Sequence, residues 1–298
     1  MKKFSGVLVG LCLFLGMACV ATAQENSQQM GHHPPKILTI TREFVKPGKG
    51  GAAHDKTESA YAAAMAAAKW PTHYLGMDSI TGKTRSLFFT GYDSFDAWEK
   101  DVLAQQKNAT LSAAIDRANE ADGALLDSVD SSAIFYRDDQ SFNSAVDIPH
   151  MRYFEIELFR VRPGHEKEWD DAVKLVKEAY AKGMPEAHWA MYQEVYGTPG
   201  GEYLVIVPLK SASEIDTAFA NNPKFMAAMG EDGMKKLGEL SASAIEEQMT
   251  NLFVFSPAKS YVDDSWIKAD PDFWKPKAKM AAKKTEEKKA DEKAAKPQ

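Results

Sequence analysis

Apolar and polar positions between residues 37 and 260 fall into two series that repeat about 116 residues apart. ILTITREFVKPGKG (37–50) and YFEIELFRVRPGHE (153–166) both alternate with period two and both end in Val, a basic residue, Pro and Gly. Alternation of this kind predicts a strand with one face buried. The closing Pro-Gly suits the two central positions of a type II turn, because proline presets φ and glycine accepts positive φ. A helix follows in each series. Trp169, Ala172, Val173, Val176 and Tyr180 recur at three- and four-residue steps, as do Tyr61, Ala64, Met65 and Ala68 in an alanine-rich stretch. Such spacing predicts one apolar helix face, and Pro71 and Pro185 stand just beyond the two helix ends.

A second strand then opens in each copy with a histidine and an aromatic residue: HYLGMDSITG from His73 and HWAMYQEVYG from His188. After a short turn come RSLFFTGY (85–92) and EYLVIVPL (202–209), whose continuous apolar character predicts central strands covered on both faces. Ser94 and Ser211 are the expected helix caps, with Asp96 and Glu214 close behind. Helical stretches are expected over 111–129 and 234–249, and last strands over 132–139 and 251–258. Each half thus reads strand, helix, strand, strand, helix, strand, the ferredoxin-like order.

Two units of this order, each opening on a strand that ends in Val45-Lys46-Pro47-Gly48 or Val161-Arg162-Pro163-Gly164, resemble the dimeric α/β-barrel superfamily. That group includes the antibiotic-biosynthesis monooxygenase-like, EthD-like and NIPSNAP-like domains. The resemblance covers residues 37–260 and implies an α+β fold. Two tandem ferredoxin-like units would place their antiparallel sheets face to face and build the barrel within one chain. Members include oxygenases, haem enzymes and isomerases, so the resemblance leaves the reaction open. Haem-binding members use a helical histidine. The helical candidates here, His54 and His165, do not occupy equivalent positions in the two units.

The ends of the chain add a compartment. Lys2 and Lys3, an apolar run from Val7 to Leu15 and Ala21-Thr22-Ala23 have the layout of a cleaved signal peptide over residues 1–23. The apolar run is too short for a bilayer, which takes about 20 residues. The expected protein is therefore exported, periplasmic or secreted, with no membrane span. Both cysteines, Cys12 and Cys19, fall inside that signal, so the mature chain has no disulfide or thiolate site. Residues 24–36 read as a polar leader; its His32-His33 pair suits only a stray metal ion, and no metal centre is expected. Residues 37–142 and 150–260 form the two units. An extension over 261–274, with Tyr261, Trp266, Phe273 and Trp274, is expected to pack on the body. From Lys275 onward nine lysines stand against four acids without apolar periodicity, which predicts a disordered tail dispensable for folding. A net charge of −6 for a chain carrying that basic tail leaves the body strongly acidic and argues against nucleic acid as a partner.

No catalytic signature is present: no G-x-S-x-G, no Walker loop, no G-x-G-x-x-G, and His165-Glu166 lacks the second histidine of a zinc motif. The duplicated histidine strand is the candidate site. On a strand His188 shares a face with Ala190, Tyr192, Glu194 and Tyr196, while Trp189, Met191 and Gln193 take the other. The Trp189 face should meet the helices and the His188 face the space between the sheets. His188, Tyr192, Glu194 and His73 are thus the candidate ligand-binding residues, with Tyr192 and Glu194 as polar neighbours in proton handling. A structural histidine at the sheet rim is the alternative reading of the same residue. Three functions follow from these features. The first is a binding protein for a small, partly aromatic ligand; the second is a cofactor-independent or haem-dependent monooxygenase; the third is a non-catalytic envelope interaction protein. No cofactor is assigned.

Overall fold

The structure, a computed structural model, describes residues 33–275. The expected signal peptide, the start of the leader and the tail beyond Lys275 lie outside the described residues. The first unit runs β1 (Ile37–Val45), α1 (Ala52–Ala68), β2 (Tyr74–Ser79), β3 (Arg85–Tyr92), α2 (Phe95–Lys107), α3 (Ala109–Gly123) and β4 (Leu126–Tyr136). The second runs β5 (Tyr153–Val161), α4 (Glu166–Gly183), β6 (Ala190–Tyr196), β7 (Glu202–Leu209), α5 (Ser213–Ala244) and β8 (Ile245–Phe255). Two short helices follow, α6 (Asp264–Ala269) and α7 (Pro271–Trp274).

Strand order is β4-β1-β3-β2 in the first sheet and β8-β5-β7-β6 in the second, all antiparallel. β2 pairs with β8 from Met77↔Phe255 to Ser79↔Phe253, and β4 pairs with β6 from Ala133↔Tyr196 to Tyr136↔Tyr192. The two ferredoxin-like units therefore close into one eight-stranded barrel of the dimeric α/β type, as the repeat predicts. The Pro-Gly turns have the expected form. Gly48 and Gly164 take φ of 76° and 84°, and the i to i+3 bonds Lys49 N to Lys46 O and His165 N to Arg162 O are both 3.0 Å.

Three expectations need correction. First, the last strand of each unit begins earlier and the preceding helix ends earlier than the apolar pattern suggests. β4 accompanies β1 along its whole length, from Ile37↔Phe135 to Val45↔Leu126. The backbone groups of β1 need that partner although Leu126–Ser131 carry mostly polar side chains. Second, Ser94 caps α2 by accepting from Ala97 N at 3.1 Å, but Ser211 does not cap α5. There the helix begins two residues later, and Ser211 Oγ lies 2.6 Å from Ser213 Oγ. Third, the buried residues of α1 are His54 and Glu58; Tyr61, Ala64, Met65 and Ala68 on the same side are only half-buried.

Alternation along the strands makes two cores. Leu38, Ile40, Leu75, Met77, Phe89, Phe154, Ile156, Tyr192, Ile206, Phe253 and Phe255 fill the barrel lumen. Trp169, Ala172, Val173, Val176 and Tyr180 of α4 pack with Trp189, Met191, Val205 and Val207 on the outer face of the second sheet. The face assignment along β6 holds: Trp189 and Met191 meet the helices, and Ala190 and Tyr192 enter the lumen.

The extension also packs on the body. Trp274 is 3% exposed, donates Nε1–H to Pro149 O at 2.8 Å, and meets Phe255, Trp266 and Phe273. Burial of this ring sets the limit for trimming the chain. Trp274→Ala should cost about 3–5 kcal/mol, the range for a large aromatic removed from a core. Truncation after Lys275 should leave the urea midpoint in place; an unchanged midpoint in Trp274→Ala would contradict the packing.

Candidate functional site

One end of the lumen is open as a cavity of about 260 Å³. Its wall is built by alternate residues at matching strand ends. Leu38, Leu75, Phe154 and Ala190 come from the starts of β1, β2, β5 and β6, and Phe89 and Ile206 from the ends of β3 and β7. His33, Pro34 and Pro35 of the leader and Val262, Asp263 and Trp266 of the extension complete the lining. Tyr192 is one of the polar residues of the wall, beside His33, His73, Tyr74, Ser144 and Asp263. Its hydroxyl donates to Pro35 O at 3.1 Å, its ring stands edge-on to Tyr136 at 5.5 Å, and burial pushes its pKa up, so it stays a neutral phenol.

The opposite end of the lumen is charged. Arg42 reaches Asp130 and Ser132 at 2.9 and 2.8 Å, and Arg160 reaches Glu202 and Glu247, each at 2.8 Å. Arg85 lies 5.0 Å above the Phe253 ring. The lumen therefore grades from apolar to ionic along its axis.

The four candidate residues are split by this geometry. Tyr192 and His73 reach the cavity. His73 is half-buried at its rim, stacked on Tyr261 at 4.7 Å, with Nε2 4.0 Å from Asp263. His188 does not line the cavity; its Nε2 lies 2.9 Å from the carbonyl oxygen of Pro208, which does. That is a rim-fixing contact, the alternative role expected for this histidine. Glu194 lies two residues beyond Tyr192 on β6, toward the charged end. Burial is the main force on its carboxyl, and against the lowering influence of Thr198 and Arg42 it raises the pKa to about 7.

Sequence reasoning missed a second group altogether. Under α1, on the outer face of the first sheet, Glu43, His54, Glu58 and Asp122 bring their donor atoms within 4.8 Å of one another, all four buried. His54 and Glu58 stand four residues apart on one helix, the signal that would have marked the pair. Glu43 comes from β1 and Asp122 from the end of α3, and nothing local in the sequence joins those to it. Lys259, in the turn after β8, donates to Asp78 Oδ1 at 2.6 Å and lies 3.1 Å from His54 Nδ1. Gly76 makes room for this turn, since a side chain there would collide with the Lys259 carbonyl.

No protein-family model matches the chain, and no curated protein does. Solved structures do resemble it. A proposed monooxygenase from Fusobacterium nucleatum is 12% identical with a TM-score of 0.48, over 75% of this chain and 94% of that one. An anthrone oxidase-like protein is 16% identical with a TM-score of 0.47, over 76% and 94%. A chlorite dismutase variant from Candidatus Nitrospira defluvii is 7% identical with a TM-score of 0.42, over 76% and 92%.

A haem held by a helical histidine does not fit the residues present. His54 has Nε2 against three carboxylates and Nδ1 against Lys259. His165 bonds Ser243 through Nδ1 and lines neither the lumen cavity nor the pocket beneath α4.

The raised Glu194 carboxyl has a measurable consequence. In the unfolded chain it titrates near the ordinary glutamate value of about 4.3. Between there and about 7 the folded state keeps a proton that the unfolded chain has lost, so stability falls as pH rises through that window and levels above it. Glu194→Gln should reduce the slope of unfolding free energy against pH by about 0.5–1 kcal/mol per unit, less than the full ~1.4 because the group is partly screened by solvent. Urea titrations at pH 5, 6, 7 and 8 check this, and equal slopes in the two proteins would refute it.

Proposed function

We propose that this is an exported protein that binds one small, mainly apolar, ring-bearing molecule in the open end of its barrel. The observation that carries the reading is the cavity itself, about 260 Å³ walled by Leu38, Leu75, Phe89, Phe154 and Ile206. A concave apolar site with few polar groups is the usual form of a small-molecule pocket. Phe89 and Phe154, stacked at 5.9 Å, offer ring faces and edges to an aromatic ligand. Tyr192 sets one polar requirement. Its proton is committed to Pro35 O, so toward a ligand its hydroxyl oxygen acts as an acceptor. A phenol or an alcohol on an apolar ring satisfies that acceptor. His73, at the rim beside Asp263, stands where such a ligand enters. The export part of the proposal is supported by the basic, apolar and small-residue order of residues 1–23.

Ala190 projects into the cavity and offers the direct test. 1-Naphthol, titrated against the intrinsic tryptophan fluorescence, should bind the purified protein saturably, with Trp266 in the wall as reporter. Ala190→Trp fills the space and should weaken that binding at least about tenfold, while overpacking costs stability on the scale of 1–3 kcal/mol. Native mass spectrometry of protein from its own source should show a retained small molecule that Ala190→Trp lacks. Equal naphthol affinity in the two proteins would defeat the reading.

A further inference from the structure

On the outer face of the first sheet, the layer between α1 and the strands gathers four ionisable side chains, where the same layer of the second unit is mostly apolar and buries only Glu155 and Glu157 among its carboxylates. His54 is 1% exposed, Glu58 2%, Asp122 1% and Glu43 8%. His54 Nε2 lies 3.2 Å from Glu43 Oε2, 3.5 Å from Asp122 Oδ1 and 3.6 Å from Glu58 Oε1. Three carboxylates thus converge on one imidazole nitrogen in a region closed to water. Thr57 Oγ1 donates to Asp122 Oδ1 at 2.6 Å, but Glu58 Oε1 and Asp122 Oδ2 are buried without a hydrogen-bond partner. Donors in reach of those two oxygens would be protons carried by the carboxyls themselves.

Buried charge must be paired or neutralised. Lys259, 2% exposed, is the cation that approaches the group, and it is committed elsewhere. Its ammonium lies on the far side of the His54 ring, bonded to Asp78 at 2.6 Å and Ser86 at 3.2 Å, with Asp55 at 3.3 Å. The three carboxylates are left to hold protons or to hold a cation. Without a cation, burial and the adjacent Glu43 and Asp122 push the Glu58 carboxyl far above the usual range.

We propose that Glu43, His54, Glu58 and Asp122 form a divalent metal site, suited to Mn²⁺, Fe²⁺ or Zn²⁺. Separations within 4.8 Å are those of donors that surround one ion at about 2.0–2.4 Å. One imidazole with three carboxylates favours a first-row ion over Ca²⁺ or Mg²⁺, which take oxygen ligands, and the absence of sulfur ligands disfavours Cu⁺. The two unpartnered oxygens are the lone pairs that coordination would use. Metal ligation requires a free lone pair on His54 Nε2 and deprotonated carboxylates, so protons held there leave as the ion enters. Uptake is therefore accompanied by proton release and strengthens as pH rises. The site lies on the other side of the sheet from the barrel cavity, and none of its four ligands lines that cavity.

The test uses the full mature chain without a purification tag, stripped by chelator and then titrated with Mn²⁺ or Zn²⁺ by calorimetry, with Mn²⁺ electron paramagnetic resonance as a second readout. The expected result is saturation at one ion per chain and a rise in Tm on loading. Glu58→Gln and Asp122→Asn keep the shape of the layer and remove charge. Each should weaken uptake by roughly 100-fold or more, on the scale of lost outer-shell support or beyond it. The thermal gain should go with the uptake: loading raises the Tm of the parent and leaves that of each variant nearly unchanged. His33→Ala, in the leader pair, should leave uptake unchanged. No saturable binding to folded, stripped parent protein overturns the proposal. So does full-strength binding in Glu58→Gln, or loss of binding in His33→Ala.

Discussion

The barrel depends on two short seams between the units. β2 meets β8 over three residue pairs and β4 meets β6 over four. Without them each sheet would present two open edges, whose unpaired N–H and C=O groups invite association. Each would also expose its lumen face, with Leu38, Ile40, Leu75 and Phe89 in one sheet and Phe154, Ile156 and Ile206 in the other. Closure within one chain removes both liabilities together. The lumen cavity, the charged end opposite it and the layers beneath the helices all take their positions from this closure.

Duplication has kept the backbone and let the fillings diverge. In the second unit α4 lays Trp169, Val173, Val176 and Tyr180 on its sheet, and Phe159 and Trp189 receive them. Burial of such side chains stabilises by about 1.5–3 kcal/mol each. In the first unit α1 lays down His54 and Glu58, and Glu43 and Asp122 receive them. An ionisable layer of that kind forgoes the hydrophobic gain and demands compensation from protons or a cation. Burial of four ionisable side chains with donor atoms within 4.8 Å of one another is what separates the acid group from ordinary surface charge.

Much of the fold was legible in the sequence because its signals are local and doubled. The period-two strands, the Pro-Gly turns and the apolar face of α4 are written in consecutive residues, and each of the first two recurs at the same offset. The early halves of β4 and β8 were not legible, because their strand state comes from pairing with β1 and β5 and their side chains are polar. The candidate site was legible in part. Face alternation brought Tyr192 to the lumen and Trp189 to the helices, but it could not say how far along the axis each residue lies. Glu194 shares a face with Tyr192 yet serves the charged end, and His188 spends its ring on the Pro208 carbonyl. Glu43 and Asp122 come together only through β1 and α3 packing against α1, which no periodicity reports.

The segment after β8 ties the two sides of the first sheet together. Lys259 is anchored beneath α1 by Asp78, Ser86 and His54. Two residues on, Tyr261 bridges Tyr74 through paired backbone hydrogen bonds of 2.9 and 3.1 Å and stacks on His73. Val262 and Asp263 then form part of the cavity rim. Five consecutive residues thus run from the buried acid group to the mouth of the lumen. The rim holds its shape because a buried ammonium fixes one end of that run and a strand-like bridge fixes its middle. Electrostatics under α1 therefore help to set the geometry of an apolar opening on the other side of the sheet.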